Sequence, residues 1–319
     1  MSNRSLAFAL LAVSLVAADL PPAVSLVAAD LPPADDVKPV RLLEVPRYSE
    51  GVVFDAAGHG YISHEDKLAR FALDGTHSVW ATPGAPNGHK VLPDGTHLIC
   101  NNSPPAILKL SAGGKTLAEV STACDGEPLR GPNDLTLDLE HGGFYFSDPG
   151  GSSDEKPIGT VHYVDDQGRT HLVADGLAFP NGIVLTPDGK RLLLAESKFN
   201  RILEYSIDSP GKVGERRVFA ELPEKSGDQA DHQPDGMCLD ANGNLYVAHY
   251  GMGQVQVLSA GGELIRSYET GLILTSNVAF GGPNRDQLFV TGAVGADATP
   301  GAVVRLDLDT PGLPLLRSK

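Results

Sequence analysis

Residues 181–196 read NGIVLTPDGKRLLLAE: an aliphatic strand, a Pro-Asp-Gly turn at 187–189, and a second aliphatic strand ending in a carboxylate. Turn residues of this kind between β-rich runs specify a tight hairpin. Residues 87–101 (NGHKVLPDGTHLICN) repeat the pattern almost position for position. Residues 235–249 (DGMCLDANGNLYVAH) repeat it again, with Asn242-Gly243 as the turn. Aligning the hairpins puts a polar residue seven positions ahead of a turn six times, at Glu50, Asn87, Asn133, Asn181, Asp235 and Asn277, at intervals of 37 to 54 residues. A repeat of this length built from strands, with no helix between units, predicts an all-β fold: a six-bladed β-propeller with four-stranded blades around a central tunnel. Third and fourth strands follow in most units. The run 39–45 (PVRLLEV), which precedes the first unit, is expected to close the ring by pairing beside residues 302–308.

Composition agrees with many strands and turns: 36 Gly and 24 Pro in 319 residues. The repeat covers nearly everything after residue 38, so one domain over 38–319 is expected. A formal charge of −15 repels phosphate backbones and argues against a nucleic-acid partner. The first residues carry Arg4 and an apolar run over 6–18 that ends in small residues, a secretory leader too short to span a bilayer. Its 11-residue segment VSLVAADLPPA at 13–23 recurs at 24–34. Residues 1–34 are therefore read as a signal segment cleaved after Ala18 or Ala29. The protein is then periplasmic or secreted, with no membrane attachment once the leader is removed. Cys100, Cys124 and Cys238 have no metal-type spacing; Cys100 and Cys238 lie in apolar strand-like runs and read as buried thiols, and a disulfide between any two of the three stays open in an oxidising compartment.

Asp94 and Asp188 are turn residues within their own units. Asn181 and Asp235 belong to units whose turn is already assigned, which moves them to the start of a strand at a common end of the ring. Glu50, Asn133, Asn181 and Asp235 then offer an all-oxygen set with a summed charge of −2. Hard divalent cations take such sets, calcium above all, with zinc and magnesium as alternatives. On the repeat alone, a cation site and a hydrogen-bonded polar tunnel both remain open.

Several motifs carry a family resemblance: Glu50-Gly51, Pro132-Asn133-Asp134-Leu135, FYFSDP at 144–149, FPNGI at 179–183, PDGK at 187–190, PDGM at 234–237, DANGN at 240–244, SNVAFGG at 276–282 and LFVT at 288–291. In this order, over residues 48–295, the chain resembles the gluconolactonase / senescence-marker-protein / luciferin-regenerating-enzyme family of six-bladed calcium propellers. The resemblance implies calcium ligation by Glu50, Asn181 and Asp235, with Asn133 joining the metal shell or holding substrate. Arg130 stands near the place where some members carry a substrate-binding arginine.

The activity implied is calcium-dependent opening of a lactone, a sugar aldonolactone such as gluconolactone. Asp235 is then general base as well as ligand, and Asn133, Arg130 and Asn181 are substrate contacts. Asp148 and His249 are the other candidate bases, and His89 is either a tunnel donor or a buried structural side chain. Two other readings stand: phosphotriester hydrolysis at the same site, and a non-catalytic binding module that calcium only stiffens. No Gly-x-Ser-x-Gly nucleophile motif supports a serine hydrolase. A monomer or weak oligomer acting on a small molecule completes the expectation.

Overall fold

A computed structural model describes residues 31–313. Among the described residues six antiparallel blades follow one another along the chain, with one separate two-stranded hairpin, and the strand that opens each blade's own repeat lies innermost. These innermost strands are Ser49–Phe54, Pro86–Val91, Leu135–Asp138, Pro180–Leu185, Gln233–Leu239 and Leu274–Gly281, in blades 1 to 6. Each packs against the innermost strands of the two flanking blades, and blade 6 meets blade 1, so the ring is closed. Among the described residues helix is confined to two short 3-10 turns, Ala34–Asp36 and Ser197–Phe199. The architecture is the six-bladed β-propeller that the repeat predicts.

The hairpins form where the turn chemistry puts them. In blade 4 the Gly189 N–H donates to the Thr186 carbonyl at 2.8 Å, while the Asp188 carboxylate accepts from the Thr186 hydroxyl and the Lys190 N–H. Asp94 does the same for Thr96 in blade 2. Both aspartates are turn residues, as read.

Closure uses the N-terminal strand. Val40–Val45 runs antiparallel to Gly301–Asp307 as the outermost strand of blade 6, with Val40 opposite Arg305 and Val45 opposite Gly301. One blade is thus built from both ends of the propeller chain. The Ser49 hydroxyl locks the seam by bonding the carbonyls of Gly292 (3.1 Å) and Ala302 (2.9 Å).

The core is a series of apolar layers between neighbouring blades rather than one central mass. Phe54, Phe71 and Phe289 pack between blades 1 and 6, and Tyr145, Tyr163 and Tyr205 between blades 3 and 4. Burying one large side chain of this kind contributes roughly 2–3 kcal/mol. Leu31 and Val37 extend the layer at Tyr246 and Tyr268. The leader expected over residues 1–34 lies outside the described residues as far as Asp30. Cys100, Cys124 and Cys238 carry free thiols, the first two buried. Among the described residues no helix is long and apolar enough to cross a membrane.

Candidate metal centre

Five of the six innermost strands lose register at the repeat's polar position. The breaks fall between Glu50 and Val53, Pro86 and His89, Pro180 and Ile183, Pro234 and Met237, and Thr275 and Asn277. A β-bulge re-aims one side chain and bends its strand. Here Glu50, Asn181, Asp235 and Asn277 come together from four blades. Glycine makes the close approach possible. A Cβ on Gly51, which sits at φ +61, would stand 2.1 Å from the Asn87 carbonyl oxygen, and one on Gly182 would stand 2.1 Å from that of Asp235. Serines pin the same strands from the preceding blade: Ser63 donates to the Asn87 carbonyl at 2.6 Å and Ser147 to that of Asn181 at 2.7 Å.

Glu50 of blade 1 and Asp235 of blade 5 meet on one group. The Tyr48 hydroxyl lies 3.0 Å from Glu50 Oε1 and 3.3 Å from Asp235 Oδ2. Asn277 Nδ2 approaches Glu50 Oε2 at 3.5 Å, and the Asn181 amide sits beside Asp235 and partly offsets the rise in that carboxyl. Asp235 is only 6% exposed. Burial pushes both carboxyl groups well above the usual carboxylate range. The charge of Glu50 adds to the effect on Asp235, and Asp134 raises both. Among the described residues neither carboxylate has a Lys, Arg or His within ion-pair distance.

Whether a cation fits is decided by the donor set. Asn181 Oδ1, Asn87 Oδ1 and Asp134 Oδ2 are buried with no hydrogen-bond partner. Asn181 and Asp134 act directly on the paired carboxyl groups, and acceptor oxygens beside mutually repelling carboxylates are a combination that a hard cation such as calcium relieves. Among the described residues no three Asp, Glu, His or Cys side chains form a cage of their own. The donors gathered here are carboxylate, amide and phenol groups, with no His or Cys among them, a set suited to a hard cation.

Residues 49–294 match the SMP-30/Gluconolactonase/LRE-like region. The chain belongs to this family. Among curated relatives, the pentonolactonase XacC of Haloferax volcanii is 32% identical over 174 residues, covering 50% of this chain and 58% of that protein. The gluconolactonase of Zymomonas mobilis is 31% identical over 194 residues, covering 57% and 53%. The lactonase drp35 of Staphylococcus aureus is 32% identical over 213 residues, covering 65% and 59%. The chain thus spans a little over half the length of the curated relatives it matches. Among solved structures, a gluconolactonase from Xanthomonas campestris superposes with a TM-score of 0.73 at 24% identity, over 86% of this chain and 91% of that one. A calcium-binding protein, regucalcin, from Agrobacterium tumefaciens gives 0.71 at 23%, over 87% and 99%. At these identities the two superpositions speak to the fold.

The other residues singled out in this SMP-30/gluconolactonase-like chain take distinct places. Asn133 (8% exposed) joins three strands through its backbone: its N–H donates to the Ser147 carbonyl at 2.9 Å and its carbonyl accepts from Gly88 at 2.7 Å. Arg130 turns its guanidinium to the Ile158 carbonyl and lines a cleft of about 480 Å³ beside the Ala123–Cys124/Glu127–Pro128 hairpin. Asp148 accepts from the N–H groups of Arg130 (2.9 Å) and Gly131 (2.7 Å), so its carboxylate shapes that loop. His249 is fully buried, with Nε2 on Asn200 Oδ1 at 2.9 Å and Nδ1 on Gln256 at 3.3 Å; burial depresses it to about 4. Both are structural in this arrangement. His89 is also structural, bonded to His97 at 2.7 Å beside Tyr61 and Trp80.

Two neighbours of the centre escape sequence reasoning. Asp134 is 1% exposed, with Lys90 Nζ 3.8 Å away, and Tyr48 bridges the two carboxylates. Asp134 stands within the Pro132-Asn133-Asp134-Leu135 motif but carries no repeat signal. Tyr48 precedes the repeat altogether.

Proposed function

We propose that this propeller hydrolyses a lactone, of the sugar aldonolactone class such as gluconolactone, at a calcium centre formed by Glu50, Asn133, Asn181 and Asp235. The observation that carries the reading is the convergence of two carboxylates from blades 1 and 5 on one phenol, beside an unpartnered Asn181 Oδ1, with no basic side chain to neutralise them. The lactonase and gluconolactonase relatives supply the chemical class.

A bound divalent cation supplies polarisation of the lactone carbonyl and stabilises the charge that develops on its oxygen. The side chains do the rest. Asp235 accepts a proton from the attacking water as the water oxygen bonds to the carbonyl carbon. The ring C–O bond then breaks, and Asp235 returns that proton to the departing alkoxide, leaving an open hydroxy acid. Asn133 and Asn181 orient the substrate through their amides, and Arg130 contacts its polar substituents. The leader pattern in residues 1–34 supports a periplasmic or secreted enzyme, and a closed ring supports a monomer.

The test is hydrolysis of a panel of aldonolactones and one phosphotriester by metal-stripped protein, with and without added calcium. Calcium-restored turnover of an aldonolactone above the phosphotriester is the expected outcome. Preference for the phosphotriester transfers the reading to that chemistry. Calcium binding without turnover of either leaves a binding module.

A further inference from the structure

Tyr48 is held from three directions before its hydroxyl meets any ligand. Its N–H donates to the Ala298 carbonyl of blade 6 at 2.9 Å. Ser49, the next residue, is fixed to the blade 6 backbone through Gly292 and Ala302, and its own carbonyl accepts from Ser276 at 2.6 Å. The ring of Tyr48 stands edge-on to Tyr250 of blade 5, with centroids 6.0 Å apart. Three residues upstream the chain is still the closing strand Val40–Val45. The seam that closes the propeller therefore also sets where this phenol points.

It points at both carboxylates at once, 3.0 Å from Glu50 Oε1 and 3.3 Å from Asp235 Oδ2. Glu50 has further donors in Gly51 N–H (3.2 Å) and Asn277 Nδ2 (3.5 Å), whereas Tyr48 alone touches the two acids together. Like charges on separate blades repel, and nothing else described ties these two side chains to a common atom. We propose that Tyr48 is a positioning residue of the metal centre: its hydroxyl holds Glu50 and Asp235 at one spacing across the tunnel, so that a cation meets a preformed pair. The proposal rests on the calcium reading above. Partners that orient metal ligands are typically worth about 10–100-fold in metal affinity.

Tyr48→Phe removes the hydroxyl and keeps the ring against Tyr250. Calcium binding to the metal-stripped protein is measured by titration calorimetry for wild type, Tyr48→Phe and Tyr250→Phe, with thermal unfolding of each calcium-free protein alongside. Tyr250→Phe loses a phenol on the same aromatic pair with no hydrogen bond to either carboxylate. The expected result is about 10-fold or greater loss of calcium affinity in Tyr48→Phe, wild-type affinity in Tyr250→Phe, and folded protein in all three. Unchanged or tighter calcium binding by Tyr48→Phe overturns the proposal while the metal reading survives. Equal losses in both variants also overturn it, because ring packing and not the bridge would then matter. Wild-type protein that takes up no calcium removes the metal reading and this proposal together.

Discussion

Buried carboxylates occur in two settings in this molecule. In blade 4, Glu196 (0% exposed) lies 2.7 Å from Arg201 and accepts the Ala178 N–H at 2.9 Å, and Glu204 (3% exposed) meets Arg191 at 3.3 Å and also Arg217. At the tunnel, Asp235 is nearly as buried and Glu50 is half-buried, yet they have a phenol and amides and no arginine. A buried charge without a counter-charge is costly, so proteins pair such groups or coordinate them to metal. Blade 4 carries its positive charge in the sequence. Glu50 and Asp235 have no such partner, since the Lys90 ammonium lies against Asp134, and this difference is the physical case for a cation between blades 1 and 5.

The largest effect that bears on this contrast is on turnover. Asp235→Asn removes both a ligand charge and the proposed base. Loss of kcat of at least about 10³-fold on a calcium-activated lactone is expected, measured under calcium excess. Retention of most of kcat with calcium still bound would remove Asp235 from the proton transfer. A smaller effect is expected in blade 4, where Glu204→Gln breaks a paired charge. It should lower unfolding free energy by about 2 kcal/mol in denaturant titrations while leaving calcium affinity intact. Equal sensitivity of calcium binding to both substitutions would erase the contrast.

A third effect has the opposite sign. Asp235→Asn relieves repulsion in the calcium-free protein, so that form should gain about 1 kcal/mol of stability relative to metal-free wild type. A loss there would mean that the carboxylate is already compensated without metal. The smallest effect concerns buried groups kept neutral. Burial depresses His97 to about 4 and pushes its partner His89 well below its ordinary value. Both histidines bind protons more readily unfolded than folded. Their contribution to stability is therefore complete above about pH 6.5 and is lost as pH falls toward the folded value. In calcium excess the melting temperature of His97→Gln should fall less than that of wild type between pH 6.5 and 4.5, by about 2–4 °C. Identical slopes would show that the pair does not titrate on unfolding.

The sequence made the blades readable because each hairpin announces itself through Pro-Asp-Gly or Asn-Gly, and the shared distance of seven brought the polar residues to one end. It also left a trace of the bulges, in the glycine that follows Glu50, Asn87, Asn181 and Asp235. The trace is legible only once neighbouring strands are known to need that space. Tyr48 could not be found in this way, because its direction is set by ring closure between residues some 250 positions apart. Asp134 acts through its charge on Glu50 and Asp235 in other blades, and no spacing rule connects the three. Asp148 and His249 looked like bases because of residue type. Their roles depend on loop N–H groups and on Asn200, partners that only folding supplies.

The central claim is that Glu50 and Asp235 share one cation. Calorimetric titration of calcium into metal-stripped wild type, Glu50→Gln, Asp235→Asn and Glu204→Gln tests it most directly. One ion bound per chain in wild type and Glu204→Gln, with binding lost in both tunnel variants, is the predicted result. Calcium uptake by Glu50→Gln or Asp235→Asn at wild-type affinity would contradict it.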